Sequence, residues 1–247
     1  MSESASAAAL SQWPDQLAAQ GWCFLPQVLP AELARWAGEA CGAALGAAAA
    51  SGSVLASGRG STYGARNLLE VWPHVRALLA WPPLALALRQ TLGVQAGLVR
   101  GLYFDKPPGS SWSLPWHRDQ TIAVRRHLPS ERFPKPTLKA GVPHVQAPVE
   151  LLSQMLTARI HLDPMTSANG PLRVISGSHL GTEAADEAGE QRELHCAAGA
   201  VLLMRPLLLH ASGHSAEGAG HRRIVHLEFA ASESLEDGLD WHDFVRL

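Results

Sequence analysis

The chain changes character near residue 95, and that change limits what it can fold into. Before it, Ala-rich stretches favour helix. After it come GLVRGLYFD, TARIHLDP, LRVIS, GAVLLMRPLLLHAS and RRIVHLEFA, short runs rich in β-branched, aromatic and long aliphatic residues, separated by turn formers. Helical sequence first and many short strands after predict a mainly β fold with flanking helices: a helical front packed outside an antiparallel barrel or jelly roll.

Residues 8–50 read as largely helical. The stretch SQWPDQLAAQ ends a first helix near Gly21 and leads into a short strand, WCFLP; Pro30 opens the helix AELARWAGEACGAAL at its first turn. Residues 51–67 read as a Gly/Ser-rich loop, and helical sequence returns at 70–92, interrupted at Pro82-Pro83 and capped by Gly93. Among the strands, Asn169-Gly170 is the strongest hairpin-turn dipeptide. Residues 128–148, with five prolines, read as a long lid or binding loop. No internal repeat is visible. The expected layout is one domain over 1–247, with a mainly helical front at 1–95 and a jelly-roll core at 96–247.

Composition excludes several function classes. Charged residues are 17% and the net charge is −2, so there is no electrostatic footprint for nucleic acid. Cys23, Cys41 and Cys196 are odd in number and scattered, which argues against a disulfide framework and fits a reducing compartment. MSESASAAAL lacks the basic start of a secretory signal. The most apolar run, LLAWPPLALAL, is broken by Pro82 and Pro83 before it reaches membrane-spanning length. The expectation is a soluble cytoplasmic protein with no membrane partner.

The chemistry concentrates in His117-Arg118-Asp119. A strand sends residues i and i+2 to one face, so His117 and Asp119 can share a space. With His210 from another strand they would make a 2-His-1-carboxylate facial triad, the ligand set of non-haem Fe(II). A His-x-Asp alone is weak evidence in a chain with twelve histidines, and His161-Leu162-Asp163 is a second one. Spacing favours the first. In a jelly roll the two ligand strands are spatial neighbours with several strands between them in sequence, and only the interval from Asp119 to His210 has that room. His161 then reads as a hydrogen-bonded barrel residue and Asp163 as a turn former. Beyond His210, Ser212 shares its face, and Arg222 and Arg223 open the next strand. One arginine faces inward as a bidentate carboxylate clamp. Arg222, Ile224 and His226 share one face and Arg223, Val225 and Leu227 the other, and periodicity leaves open which is inside.

At these residues the sequence resembles the phytanoyl-CoA dioxygenase family of Fe(II)/2-oxoglutarate oxygenases. The resemblance is loose over GWCFLPQVLPAELARW and specific in the ordered set FDKPPGSSWSLPWHRDQTIAV, NGPLRVISGSH and RPLLLHASGHSAEGAGHRRIVHLEFA. It implies a double-stranded β-helix of cupin-like jelly-roll type with helices outside, and metal ligands at His117, Asp119 and His210. It puts the 2-oxoglutarate arginine on Arg222, a co-substrate serine on Ser212, and a pocket-lining residue on Leu102. Arg159 falls where relatives often carry an aromatic, so it is either a second carboxylate or substrate contact or a salt-bridge residue. Arg66 is a further candidate for the other end of the co-substrate, and His214 replaces an asparagine common in relatives.

What the resemblance implies is a dioxygenase that uses Fe(II) and O₂, decarboxylates 2-oxoglutarate to succinate and CO₂, and oxidises an unactivated C–H of a small molecule. Trp112, Trp116, His144, Gln146, His226 and the 128–148 segment are candidates for the mouth, although Trp116 faces away from the metal on a regular strand. No basic cluster is visible as a CoA handle, and fold and cofactor name no substrate. The competing readings are a non-catalytic metal- or ligand-binding cupin-like barrel and a zinc hydrolase; the second wants a glutamate base beside His117 or His210, and none is there.

Overall fold

A computed structural model describes residues 3–247 except 58–59, 61, 110–111 and 182–188, with side chains from residue 12 onward. The omitted residues include part of the 51–67 segment and Ser110-Ser111. Five helices, α1 (Glu3–Gln20), α2 (Ala31–Ala47), α3 (Leu68–Val71), α4 (Pro82–Leu92) and α5 (Val149–Ser153), accompany a 3₁₀ segment at Pro73–Ala80. Strands are β1 (Trp22–Phe24), β2 (Val54–Ala56), β3 (Thr62–Ala65), β4 (Gly97–Phe104), β5 (Leu114–His117), β6 (Thr121–Ala123), β7 (Thr137–Lys139) and β8 (Val142–Gln146). They continue with β9 (Met155–His161), β10 (Leu172–Ile175), β11 (Gln191–Glu193), β12 (Val201–Met204), β13 (His210–Ser212), β14 (Ile224–Ala230) and β15 (Val245–Arg246).

The large sheet runs β1-β12-β9-β14-β4-β3-β2, with β15 also on β4; a smaller sheet runs β11-β10-β13-β5. These two sheets make the double-stranded β-helix, and every pairing within them is antiparallel. Strand alternation sorts the large sheet. Val225, Leu227 and Phe229 of β14 pack with Ala158 and Ile160 of β9 under Leu17, Ala37, Leu84 and Leu88 of the helices. The opposite face carries Ile224, His226 and Glu228 inward. Covering the outer face with helices explains why so much Ala- and Leu-rich sequence precedes the barrel. No helix among the described residues is long and apolar enough to cross a membrane.

Four expectations need correction. Residues 51–67 are not a plain loop, because β2 and β3 pair there and extend the large sheet. Pro82-Pro83 do not interrupt a helix but open α4 at its first two positions, where a missing N–H costs nothing. The 128–148 segment is not structureless: β7 and β8 form a hairpin that joins β6 in a third sheet. Asn169-Gly170 does not close a hairpin, since β9 and β10 lie in different sheets. Instead, Asn169 accepts from the Thr166 N–H (2.9 Å) and donates to the Pro164 carbonyl (2.8 Å), fixing the crossover between sheets. Gly21 and Gly93 end α1 and α4 at φ +79 and +87, and Pro30 stands just ahead of α2, much as the sequence indicates.

Candidate metal centre and its pocket

Strands β5 and β13 pair so that His117 and His210 are direct register partners. Their rings lie 4.2 Å apart, centroid to centroid. Asp119 follows two residues later, tethered by its N–H to the Pro206 carbonyl (2.9 Å), while Arg118 turns away and donates to the Leu207 (2.8 Å) and Ser178 (3.2 Å) carbonyls. The residues beside each ligand candidate thus bind the chain leading into His210. Three side-chain donors converge as a result, with one ligand atom from each of His117, Asp119 and His210 within 4.8 Å of the others.

The imidazoles are set for a cation. His117 Nδ1 donates to the Pro115 carbonyl (2.7 Å) and His210 Nδ1 to the Leu208 carbonyl (2.8 Å). A carbonyl only accepts, so each Nδ1 carries a proton, which leaves Nε2 as the nitrogen that can serve as a ligand atom. Those Nε2 atoms face Asp119, at 4.0 Å for His117 and 3.7 Å for His210. Asp119 Oδ2 is buried without a hydrogen-bond partner. Burial pushes His210 down to about 4, against the pull of Asp119, so its imidazole is neutral at pH 7. Burial also opposes the Asp119 charge, but His210, His226, His117 and Arg159 together hold its carboxyl below the ordinary range. Two imidazoles with Nδ1 tied to backbone carbonyls, and one carboxylate, converging on a point no protein donor fills, fit a divalent transition metal.

The triad opens on a cavity of about 290 Å³ whose other wall is the inner face of β4, β9 and β14. Leu102, Arg159, Ser212 and Arg222 all line it. Arg222 is 1% exposed. It has no carboxylate partner among the described residues; the one hydrogen bond recorded for its guanidinium there is a long contact to Met165 Sδ (3.8 Å), and its Nε has none. Burial, then Arg159 beside it, pushes Arg222 down to about 9, which leaves it charged at pH 7. Arg223 faces the other way and is held by Asp163 through Nε (2.8 Å), Nη2 (2.7 Å) and its backbone N–H (2.9 Å). The turn former of the second His-x-Asp is therefore the partner of the outward arginine. His161 is fully buried on the inner face with neither ring nitrogen bonded, so it is not the hydrogen-bonded residue expected.

Arg159 makes no ion pair among the described residues. Its Nη1 contacts His226 Nδ1 (3.2 Å) and its guanidinium stands over the Phe104 ring (5.9 Å). Trp112 and His226 reach the cavity, whereas His144 is buried in the third sheet against its own strand and Trp116 stacks under Arg173 outside. Sequence reasoning missed Arg100, Thr121, Lys139 and Glu228, which also line the cavity. It also missed Lys106, fully buried and donating to Gly170 O (3.2 Å), Ser212 Oγ (3.3 Å) and Gly213 O. Plain strand parity places Arg100, two before Leu102, and Glu228, two after His226, on the same face as those residues, and the register shift lies beyond both.

A double-stranded β-helix with this donor set defines the class of non-haem iron, 2-oxoglutarate-dependent oxygenases. The chain belongs to the phytanoyl-CoA dioxygenase (PhyH) family, whose model matches residues 17–223. None of the curated protein sequences matches it. Among solved structures it is similar to AviO1 from Streptomyces viridochromogenes Tue57, with 22% identity, 91% of this chain and 94% of that one covered, and a TM-score of 0.64. It is similar to EctD from S. alaskensis with bound Fe, at 18% identity, 93% and 76% coverage and a TM-score of 0.67. A third is SnoN, a non-heme alpha ketoglutarate dependent epimerase from nogalamycin biosynthesis, at 17% identity, 92% and 82% coverage and a TM-score of 0.66.

Proposed function

We propose that the chain is an Fe(II)- and 2-oxoglutarate-dependent dioxygenase that oxidises an unactivated C–H of a small molecule, with release of succinate and CO₂. The observation that carries this reading is the pairing of His117 with His210, which directs two Nε2 atoms and the Asp119 carboxylate at one point. Iron bound there would supply O₂ activation, and 2-oxoglutarate the electrons for it.

The chain's own residues would do the rest. His117, Asp119 and His210 would hold the ion. Arg222, charged and without a protein carboxylate, receives the far carboxylate of 2-oxoglutarate, with Ser212 donating a hydrogen bond. Leu102 walls the co-substrate, and Arg159 supports the same negative charge from β9. Burying these groups excludes water and strengthens each contact. Support from relatives is of the same kind: structures of EctD carry bound Fe in one case and 2-oxoglutarate with 5-hydroxyectoine in another.

The test is anaerobic titration of the Fe(II)-loaded protein with 2-oxoglutarate, watching for the visible metal-to-ligand charge-transfer band of a chelated keto acid. A saturable band that is lost in Arg222→Ala is the expected result. Bound iron with no band at any concentration overturns the oxygenase in favour of a non-catalytic metal-binding barrel.

A further inference from the structure

The cavity has a second cationic pole that the metal and the co-substrate do not use. Five cations line it, Arg66, Arg100, Lys139, Arg159 and Arg222, against two carboxylates, Asp119 and Glu228. Glu228 is taken by Arg100 (3.2 Å). Along β14, Arg222 and Glu228 are six residues apart, which at the rise of a strand is roughly 20 Å. Arg222 thus belongs to one end of the wall and Arg100, paired opposite Glu228, to the other, while Arg159 stands between them opposite His226. Arg66 and Lys139 gather at the Arg100 end, and neither has a carboxylate within ion-pair distance among the described residues.

These two side chains are positioned by the backbone that carries them. Arg66 follows β3 and its N–H donates to the Ser53 carbonyl (2.8 Å). Its neighbour Asn67 donates to Ser53 Oγ (3.1 Å) and, across the cavity rim, to the carbonyl of Ala140 (3.1 Å), the residue after Lys139. Asn67 and Ala140 both hold left-handed backbone, at φ 53 and 50. Strained residues of this kind persist where the surroundings over-determine them, and they cluster at ligand clamps. Lys139 Nζ donates to Thr121 Oγ1 (2.7 Å), two residues beyond Asp119, so the lid hairpin delivers its one inward cation beside the metal-ligand strand. Burial, and then Arg100, press both Arg66 and Lys139 below their ordinary ranges, so the uncompensated charge is held there at a cost an anion would relieve.

We propose that Arg66 and Lys139 form the recognition site for the primary substrate's anionic group, a carboxylate or a phosphate monoester, and that the enzyme acts on acids. An anchor at this pole, with the co-substrate at the Arg222 pole, holds the substrate's carbon skeleton across the triad between them. The inference rests on the Fe(II)/2-oxoglutarate reading for the identity of the far ligand, and on the cavity alone for the anion.

The experiment is calorimetric titration of the full chain, loaded anaerobically with Fe(II) and 2-oxoglutarate, with hexanoate, hexyl phosphate and neutral hexanamide as probes. The charge-transfer band is read in the same sample, and the titrations are repeated on metal-free protein. At least one anion should bind about tenfold or more tightly than hexanamide, a difference of about 1.4 kcal/mol; whichever anion wins identifies the headgroup. Arg66→Ala and Lys139→Ala should each erode the preference, and Arg66→Lys and Lys139→Arg, which keep the charge, should retain most of it. The band should titrate with 2-oxoglutarate as in the wild type in all four. An equal response to the three probes, or a preference that survives the double alanine variant, overturns the proposal. So does weakened 2-oxoglutarate binding in Arg66→Ala, which would assign that arginine to the co-substrate. A missing band with the anion preference intact in metal-free protein would sink the co-substrate reading and leave the anion site standing.

Discussion

Asp163 grips Arg223 through two guanidinium nitrogens, Nε and Nη2, and its backbone N–H, and this contact orients the start of β14. With Arg223 held outward, its neighbour Arg222 must enter the cavity. Arg222→Ala is expected to weaken 2-oxoglutarate binding by about 10- to 100-fold, the worth of a charged hydrogen-bonded clamp, with Fe(II) affinity unchanged. Arg223→Ala should leave 2-oxoglutarate binding intact. Because the ion pair is partly exposed, its loss should cost no more than about 1 kcal/mol of stability. The charge-transfer titration and chemical denaturation read the two effects separately; a larger co-substrate defect in Arg223→Ala would reverse the assignment.

His117→Ala and Asp119→Ala should each reduce Fe(II) affinity by more than about 100-fold, since losing even an outer partner of a metal ligand costs about 10- to 100-fold. His161→Ala should leave it unchanged, because that ring is enclosed on the large sheet and Asp163 is committed to Arg223. Equilibrium dialysis against Fe(II) or Mn(II) would decide this. Wild-type affinity in both of the first two variants would remove them from the site.

Much of this was legible in the sequence because it rests on local rules. His117 and Asp119 share a face by strand period, and the wide interval to His210 leaves room for the strands that bring β13 beside β5. Val225 and Leu227 are plainly one face, yet whether that face met helices or the barrel interior depended on Ala158, Ile160 and the helical front. Nor could spacing show that Asp163 answers Arg223, an ion pair across 60 positions. The cationic pole was invisible for the same reason. Arg66, Arg100 and Lys139 are scattered singly along the chain, so no basic cluster appears until the fold gathers them. The β7–β8 hairpin was hidden by the prolines around it, which read as loop: four of the five flank the strands, and only Pro143 lies within one, the middle strand β8.

Lys106 predicts a pH dependence. Burial, then Arg222 and Arg159, push its amine down to about 7 from the ordinary 10.5. The unfolded chain holds that proton more tightly, so unfolding takes one up between pH 7 and 10.5, and this residue's contribution makes the fold more stable as pH rises through that window. Cys23 and Cys41, raised to about 12 by burial, act in the opposite sense only above about pH 9. Urea midpoints of the metal-free protein at pH 7 and pH 9, compared between wild type and Lys106→Met, isolate the effect. The wild type should gain relative to the variant at pH 9; parallel changes would mean that the three acceptors around Nζ hold its proton.

Those acceptors also make Gly170 irreplaceable. It sits at φ +65, and a Cβ there would press on the Gly213 carbonyl oxygen and lie 2.8 Å from Lys106 Nζ. The backbone conformation alone costs a non-glycine residue about 1–3 kcal/mol, and the contact with a fixed carbonyl adds to it. Gly213 itself has open space around its missing Cβ and no positive φ, so it serves as the matched control. Gly170→Ala should lower the melting temperature by several degrees, about 2–4 °C for each kcal/mol in a chain of this size, while Gly213→Ala should barely move it. Because Gly170 and Lys106 hold the segment that carries Ser212, the same variant should also weaken 2-oxoglutarate binding. A stable Gly170→Ala protein with an unchanged charge-transfer titration would show that the lysine and its carbonyls play no part in positioning Ser212.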